Sequence, residues 1–289
     1  MTSPAAFSHL RETLSFVRFS HTLFALPFAL TGMLLAADGL PAPSTVAWIV
    51  VAMAGARTAA MAFNRLVDRR FDAANPRTRD RSLPAGRLTP AQGWVLFGAA
   101  LLALLLAAWR LNPLALALAP VAVVILCGYS LTKRFTSWSH LVLGLALAGA
   151  PLGAWIAVRG DLAVAPLALA GGVLFWTAGF DVIYALQDVP FDRRAGLHSL
   201  PVRLGPSRAL AVARGFHLLA GLFFTLTGIV SHLGPAYFLG VAIAAVLLVV
   251  EHALVRPDDP RRLQIAFFRV NVAVALILLG ATSADLLLT

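Results

Sequence analysis

The sequence predicts an all-α integral membrane protein, and this fold class follows from the composition and from the length of the apolar runs. Hydrophobic residues make up 60% of the 289 residues and charged residues only 12%, and the mean hydropathy is +0.83. A chain of this composition cannot keep all its apolar side chains inside one water-soluble core. Helices of a soluble protein need a polar face toward water, and most of the apolar runs here are too uniformly hydrophobic to supply one.

About nine apolar runs are long enough, or nearly so, to cross a bilayer as helices, which takes about 20 residues each. The first eighteen residues are mixed polar and amphipathic, so no cleavable signal peptide is evident and the first span is expected to start insertion itself. We expect one membrane domain over residues 1–289. The predicted spans are residues 22–37, 44–63, 91–109, 114–131, 138–158, 163–185, 209–230, 235–255 and 265–288.

Basic residues are concentrated at one end of these spans. Lysine and arginine in short loops favour the cytoplasmic side, so the pattern predicts an inner-membrane protein with a cytoplasmic amino terminus and a carboxyl terminus outside. The alternate connections contain only Arg110 and Arg159. The same bias explains the net charge of +10 without a nucleic-acid partner. The basic residues on the predicted cytoplasmic side are Arg11, Arg18, Arg65, Arg69, Arg70, Arg77, Arg79, Arg81, Arg87, Lys133, Arg134, Arg193, Arg194, Arg203, Arg208, Arg256, Arg261 and Arg262.

Acidic residues are scarce, and five of the thirteen lie in two short segments. The segment NRLVDRRFD ends the second span with Asp68 and Asp72, and FDVIYALQDVPFD ends the sixth span with Asp181, Asp188 and Asp192. Both segments fall on the predicted cytoplasmic side. We call them the first and second aspartate motifs.

Helical spacing predicts that the polar residues of each motif share one face, because residues four and seven or eight apart are neighbours on a helix. Arg57 stands seven residues before Asn64, which places it on the same face and about 10 Å deeper at 1.5 Å per residue. The two predicted faces are Asn64, Asp68 and Asp72 and, in the second motif, Asp181, Tyr184, Asp188 and Asp192.

Two interpretations of these aspartates stay open at this point. The carboxylates could simply pair with the neighbouring arginines at helix ends, as surface ion pairs commonly do. Alternatively, paired carboxylates at the ends of two spans form an oxygen-ligand site for divalent cations, completed by the phosphates of a substrate in the manner of Mg²⁺. Two motifs on one side of the membrane favour the second interpretation, and polar groups at membrane depth are functional candidates by default.

Cations surround the two motifs and favour a phosphate-bearing substrate. The segment NPRTRDRSLPAG contains Arg77, Arg79 and Arg81, and YSLTKRFT contains Lys133 and Arg134. Metal ions together with arginine or lysine neutralise a departing diphosphate. An allylic polyprenyl diphosphate fits this setting, with its head among the polar groups and its tail between helices or in lipid.

Arg57 is the candidate group for the second substrate. Methionines, not acids, stand four residues before and after it, at Met53 and Met61. A substrate carboxylate would satisfy a cation at that depth, which favours an aromatic acid as the acceptor. Asp181 is the alternative partner for Arg57, in which case the pair would be structural.

The combination of both motifs with NPRTRDRSLPAG resembles the UbiA-type intramembrane prenyltransferases, over nearly the whole chain and in the same motif order. The resemblance implies nine helices around a central cavity that opens to the cytoplasmic side, with Mg²⁺ as cofactor. RFSHTLFALPFAL and YSLTKRFTSWSHLVLGLALAGAP resemble the 4-hydroxybenzoate polyprenyltransferase branch, including relatives with a naphthoate acceptor. This second resemblance therefore implies prenyl transfer in ubiquinone or menaquinone biosynthesis. The loop differs from the family pattern at one point: it reads RDRSLPAG, whereas many members have an arginine-proline pair after the RT.

The resemblance also implies the site residues. Asp68, Asp72, Asp188 and Asp192 are expected to hold metal and diphosphate, with Asn64 beside them. Lys133 and Arg134 are expected on a cytoplasmic loop over the head group, and Tyr184 is expected to line the reaction chamber. The remaining roles are a mechanistic hypothesis: Arg77, Lys133 and Arg134 assist departure of the diphosphate, Arg57 binds the acceptor carboxylate, and Asp181 orients or deprotonates the phenol. The expected partners are both substrates and the bilayer, with no obligatory protein partner.

Other function classes fit less well. A transporter or channel would carry acids near the bilayer midplane and broken helices there, whereas these acids cluster at one interface beside arginines. A membrane phosphatidyltransferase would call for a DGxxAR-type segment, which the sequence lacks. Terpene cyclisation by a relative of the same superfamily stays open, because the metal motifs alone do not separate it from prenyl transfer.

Overall fold

The structure is a computed structural model that describes Glu12, Phe16, residues 22–256 and residues 259–288. Within those ranges the chain forms helices joined by short connections, without a strand, so the predicted all-α class is confirmed. Eight of the described helices are long and apolar enough to cross a membrane, and Phe24–Ala37 is a shorter apolar helix. Arg11 and Arg18, which contributed to the predicted orientation, lie outside the described residues.

The helices follow the predicted spans closely, with short additional helices near the aspartate motifs. They are α1 (Thr22–Ala37), α2 (Pro43–Val67), α3 (Arg69–Ala74), α4 (Pro90–Leu111), α5 (Pro113–Thr132), α6 (Ser139–Arg159), α7 (Val164–Ala185), α8 (Val189–Arg194), α9 (Leu200–Leu204), α10 (Pro206–Val230), α11 (Pro235–Leu254), α12 (Pro260–Gln264) and α13 (Asn271–Leu288). A 3₁₀ turn spans Leu186–Asp188, and a π-helix spans Ile265–Val270.

Proline and capping side chains mark where several of these helices begin. Thr89 and Gln92 form a capping box at the start of α4, with the Thr89 hydroxyl accepting from the Gln92 backbone N–H at 3.2 Å. Asn112 caps α5 by accepting from the Ala115 backbone N–H at 2.9 Å, and it donates to the Ile156 carbonyl at 2.7 Å. Because α4 and α5 begin with proline, whose missing N–H costs nothing at that position, the sequence itself predicts these starts.

Small residues let several helix backbones approach each other. A Cβ added at Gly55 of α2 would lie 2.8 Å from the Ala100 carbonyl oxygen of α4, and one at Gly144 of α6 would collide with the Leu174 carbonyl oxygen of α7. Close backbone contact of this kind is the usual basis of helix association in lipid, where the hydrophobic effect does not drive helices together. These contacts set the rotation of α2 and α7, the two helices that lead into the aspartate motifs.

Neither aspartate motif forms one continuous helix, which differs from the single helical faces that spacing predicts. After α2, Asp68 has φ −93° and ψ 5° and separates α2 from α3. After α7, the chain forms the 3₁₀ turn and then α8, in which Pro190 is the second residue. A proline at a helix start favours a fresh helix over continuation of the preceding one. The carboxylates of each motif therefore do not stand on one continuous helical face.

A buried polar chain supports the π-helix. The Trp176 indole N–H donates to Asn271 Oδ1 at 2.7 Å, and Asn271 Nδ2 donates to Glu251 Oε1 at 2.8 Å and to the Phe267 carbonyl at 3.0 Å. The Phe267 ring packs on the Tyr184 ring, with 4.2 Å between centroids. This chain anchors the segment that presents Phe267 to the cavity between the membrane helices, and π-helical turns of this kind often lie at functional sites.

Candidate active site

A cavity of about 490 Å³ lies between α2, α5, α6 and α7, and most of its walls are apolar. Its polar residues include four of those predicted from the sequence, namely Arg57, Asn64, Asp181 and Tyr184. Asn64, Asp181 and Tyr184 lie toward the ends of α2 and α7 that carry the aspartate motifs, and Arg57 lies deeper along α2. The cavity thus has one polar end beside both motifs and a long apolar remainder.

Asp68 of the first motif is held by two predicted site residues. Asn64 Nδ2 donates to Asp68 Oδ2 at 3.0 Å, and Arg134 Nη2 donates to Asp68 Oδ1 at 3.0 Å and to the Val67 carbonyl at 2.9 Å. Burial raises the pKa of Asp68, and the hydrogen bond and charge of Arg134 offset part of that rise. Asn64, Asp68 and Arg134 therefore form one cluster.

Asp72 contacts Arg81, one of the cations expected around the motifs, and Arg65, which was not assigned to the site. Arg81 Nη1 donates to Asp72 Oδ1 at 2.6 Å, and Arg65 Nη1 lies 3.7 Å from Asp72 Oδ2. Both Arg65 and Arg81 also line the cavity.

Arg77 links the loop after the first motif to the second motif. Its Nε and Nη2 donate to Asp188 Oδ1 and Oδ2 at 2.9 and 2.7 Å, and its Nη1 donates to the Tyr184 hydroxyl at 2.7 Å. Burial disfavours the charged guanidinium, but Tyr184 and Asp188 outweigh it, so the pKa of Arg77 is raised. Bidentate pairs of this kind are among the stronger hydrogen-bonded ion pairs in proteins. Asn75 adds a longer contact to Asp188 at 3.4 Å.

Lys133 approaches the remaining acid of the second motif. Its Nζ lies 3.7 Å from Asp192 Oδ2. Burial alone would lower the pKa of Lys133, but the nearby carboxylates, chiefly Asp192, raise it overall. The ammonium group therefore stays charged beside the motif, as binding of a diphosphate requires.

Asp181 is paired with a histidine that was not assigned to the site. His140 Nδ1 and Asp181 Oδ2 are 2.6 Å apart, and the Leu200 backbone N–H donates to His140 Nε2 at 3.3 Å. Because Nε2 accepts that bond, a neutral His140 carries its proton on Nδ1 and donates it to Asp181. The imidazole is fully buried. Arg57 lines the same cavity as Asp181.

The donor set fits a hard divalent cation, although its carboxylates are now paired with basic side chains. Buried oxygens of both motifs, Asp72 Oδ2 and Asp192 Oδ2, accept no hydrogen bond from any described residue. Oxygen atoms of this type are the ligands that Mg²⁺ prefers. Among the described residues, no three acidic, histidine or cysteine side chains are grouped closely enough to hold a metal by themselves. Ligands from a substrate would therefore have to complete such a site.

Sequence comparison supplies independent information. The model of the UbiA prenyltransferase family matches residues 25–273. A 4-hydroxybenzoate solanesyltransferase of Synechocystis sp. is 36% identical over 256 residues, which covers 87% of this chain and 86% of that protein. A 4-hydroxybenzoate octaprenyltransferase of Aeromonas hydrophila is 33% identical over 260 residues, with 90% of each chain covered.

Solved structures show the same architecture. The apo structure of a UbiA homolog from Aeropyrum pernix K1 superposes with a TM-score of 0.84 at 32% identity, covering 92% of this chain and 98% of that one. A UbiA homolog from Archaeoglobus fulgidus, bound to GPP and Mg²⁺, superposes with a TM-score of 0.71 at 19% identity, covering 95% of this chain and 99% of that one. The second likeness bears on the fold alone.

Proposed function

The chain belongs to the UbiA prenyltransferase family, and we propose that it transfers a polyprenyl group from a polyprenyl diphosphate to 4-hydroxybenzoate or a closely related aromatic acid. The observation that carries this proposal is the joining of two aspartate motifs by Arg77, Lys133 and Arg134 beside an apolar cavity. The names of the relatives from Synechocystis and Aeromonas support 4-hydroxybenzoate as the acceptor. A dihydroxynaphthoate is the alternative acceptor.

The two ends of the cavity suit the two parts of the donor. The polar end would receive the diphosphate beside both motifs, and the apolar walls would receive the isoprenoid chain. Transfer of such a chain from water to an apolar wall is favourable in proportion to the buried area. The cavity lies within helices that cross the membrane, so a donor with a long tail can enter without leaving lipid.

Four carboxylates are the proposed Mg²⁺ ligands, namely Asp68 and Asp72 for one ion and Asp188 and Asp192 for a second. Bound Mg²⁺ would neutralise charge on the departing diphosphate. The bidentate Arg77–Asp188 pair would have to open, which would free the Asp188 oxygens and the guanidinium of Arg77 for the diphosphate. Arg77, Lys133 and Arg134 would then donate to the leaving group as the carbon–oxygen bond breaks.

The acceptor is proposed to bind deeper in the cavity. Arg57 would pair with its carboxylate, and Asn64 and Tyr184 would line the space between acceptor and diphosphate. Asp181, oriented by His140, would accept the phenol proton. The ring carbon ortho to the phenolate oxygen would then form a bond to the allylic carbon as the bond to the diphosphate oxygen breaks. The hydrogen on that ring carbon would leave as a proton to the departing diphosphate, and Asp181 would return its proton to the phenolate oxygen.

The direct test is an assay with radiolabelled geranyl diphosphate and purified protein in detergent, with a panel of aromatic acids and with or without EDTA. We expect prenylated 4-hydroxybenzoate, with turnover lost in EDTA and restored by excess Mg²⁺. If product formed only from a dihydroxynaphthoate, that compound and not 4-hydroxybenzoate would be the acceptor. Cyclised hydrocarbon made without any acceptor would replace prenyl transfer with terpene cyclisation.

We further propose that the protein lies in the inner membrane with its amino terminus and the aspartate motifs on the cytoplasmic side. The clustering of arginines beside both motifs supports this orientation through the positive-inside rule.

A further inference from the structure

A second concavity, of about 1060 Å³, lies outside the cavity and shares none of its lining residues with it. Residues of α3 and α8 line it together with residues near the end of α2 and the start of α4. We call it the α3–α8 groove. None of its lining residues is acidic. Its lining includes four arginines and three aromatic residues, namely Arg69, Arg70, Arg134, Arg194, Phe71, Trp94 and Phe191.

Three of the four arginines in the groove have no acidic partner among the described residues. Arg77, Arg81 and Arg134 at the candidate active site are each bonded to an aspartate. By contrast, Arg69, Arg70 and Arg194 form no ion pair with any acidic side chain in the described part of the chain. Arg194 donates only to the Pro190 carbonyl, at 3.1 Å. A cluster of unpaired guanidinium groups attracts phosphate, which arginine binds in bidentate geometry.

The apolar part of the groove lies at the level where helices leave the membrane. Trp94 stands near the start of α4, is 49% exposed and packs against Phe63 and Phe97, with 6.3 and 5.6 Å between centroids. The next residue, Val95, is 72% exposed. Tryptophan at the end of a membrane span typically lies at the headgroup level of the bilayer. The groove therefore presents cations and apolar surface side by side at the membrane interface.

We infer that the α3–α8 groove binds the headgroup of an anionic glycerophospholipid, with Arg69, Arg70 and Arg194 on its phosphate and Trp94 beside its acyl chains. The absence of acidic lining residues favours an anion over a zwitterion. The aromatic surface of Phe71 and Phe191 favours a lipid over a soluble anion, because it would bury the apolar part of the ligand. Basic clusters next to membrane spans recognise anionic lipids by this combination of forces.

The two helices that line the groove also carry buried carboxylates of the aspartate motifs. Asp72 on α3 and Asp192 on α8 are buried on the side of the candidate active site. A lipid phosphate that contacts Arg69 and Arg70 on α3 and Arg194 on α8 would join the two helices across the groove. Bound lipid should therefore stabilise the arrangement of both aspartate motifs and raise the melting temperature of the protein.

The test compares two triple variants with the same change in net charge by native mass spectrometry. One carries Arg69→Gln, Arg70→Gln and Arg194→Gln in the groove. The control carries Arg203→Gln, Arg208→Gln and Arg256→Gln, three exposed arginines outside it. Each protein is titrated with phosphatidylglycerol, with phosphatidylcholine and, in a separate arm, with glycerophosphoglycerol. Melting temperatures are measured in nanodiscs with and without phosphatidylglycerol.

We expect the wild-type protein and the control to prefer phosphatidylglycerol and to melt higher in its presence. The groove variant should bind it at least about tenfold more weakly, given the attraction of each arginine to anionic lipid. An equal preference in both triple variants would overturn the proposal, since binding would then follow overall charge. Equally tight binding of glycerophosphoglycerol would also overturn it, in favour of a soluble anion.

Single variants keep the test decisive if the groove triple variant does not fold. Arg69→Gln and Arg194→Gln should each weaken phosphatidylglycerol binding about three- to fivefold, with Arg208→Gln unchanged. Unchanged binding in both groove variants would contradict the site. These binding measurements do not depend on turnover, so their outcome is separate from that of the proposed prenyl transfer.

Discussion

Lys133 and Arg134 are adjacent in the sequence, and their side chains reach aspartates of different motifs. Lys133 Nζ lies 3.7 Å from Asp192, and Arg134 Nη2 lies 3.0 Å from Asp68. The connection between α5 and α6 thus spans both motifs with two consecutive cations. A diphosphate bound between the motifs would meet positive charge on this side wherever its two phosphates lie.

Removing the charge of Lys133 is expected to weaken use of the donor. Lys133→Met should lower kcat/KM for the prenyl diphosphate at least about tenfold, equivalent to about 1.4 kcal/mol, with the KM for the aromatic acid nearly unchanged. Steady-state kinetics with each substrate varied in turn provide the measurement. Arg193→Gln, an exposed change on α8, is the control. A rise confined to the acceptor KM would remove Lys133 from the diphosphate site.

The two aspartate motifs are expected to be indispensable. Asp68→Ala and Asp188→Ala should each abolish turnover while the protein stays inserted in the membrane, because each removes a proposed metal ligand. Asp80→Ala serves as the control, since Asp80 is exposed and lies in the same connection as Arg77. Either variant retaining more than about a tenth of the wild-type rate, a loss of only about 1.4 kcal/mol, would contradict its proposed role.

Arg57 is expected to govern recognition of the acceptor. Arg57→Ala should mainly raise the KM for the aromatic acid, leave the donor KM nearly unchanged and remove the preference for acids over decarboxylated analogues. The panel would contain 4-hydroxybenzoate and phenol, with initial rates measured across concentrations of each. Equal losses for both acceptors would instead indicate a structural role for Arg57.

His140 is expected to act through Asp181, not through the donor. His140→Ala removes a hydrogen bond of 2.6 Å to the carboxylate, and loss of a bond to a charged group should lower kcat about ten- to a hundredfold. His140→Asn retains an N–H donor near the Nδ1 position and should recover part of that loss. The donor KM should stay the same in both variants. A fall in melting temperature with equal kcat for Ala and Asn would make His140 a packing residue only.

Cysteine labelling tests the orientation. In a background with Cys127→Ser, which removes the free thiol, Ala85→Cys should react with an impermeant reagent from the cytoplasm and Leu162→Cys from outside. Both positions are exposed. Reaction with the opposite sidedness would overturn the orientation and place the aspartate motifs outside.

Much of the fold could be predicted because hydropathy acts along the chain and needs no tertiary information. The first predicted span, residues 22–37, coincides with α1, and the Pro90 and Pro113 starts follow from local chemistry. The motif residues Asn64, Asp68, Asp188 and Asp192 could be selected because acidic residues are scarce in this chain and recur at helical spacing at the ends of two predicted spans.

Local sequence did not predict which charges pair. Arg77 and Asp188 are 111 residues apart, and Asp181 is paired with His140, 41 residues away. Asp72 pairs with Arg81 of the following loop, whereas Asp68 pairs with Arg134, 66 residues away.

By itself, the sequence determined that the chain crosses a membrane, where its spans lie, and that cations and carboxylates meet at their ends. Transfer free energy and spacing along one helix are sufficient for those conclusions. Only the tertiary structure decided which carboxylate each cation binds, because that depends on how α2 and α7 are rotated. Their rotation is set by backbone contacts such as those at Gly55 and Gly144, which involve residues far apart in the chain and leave no local pattern in either helix.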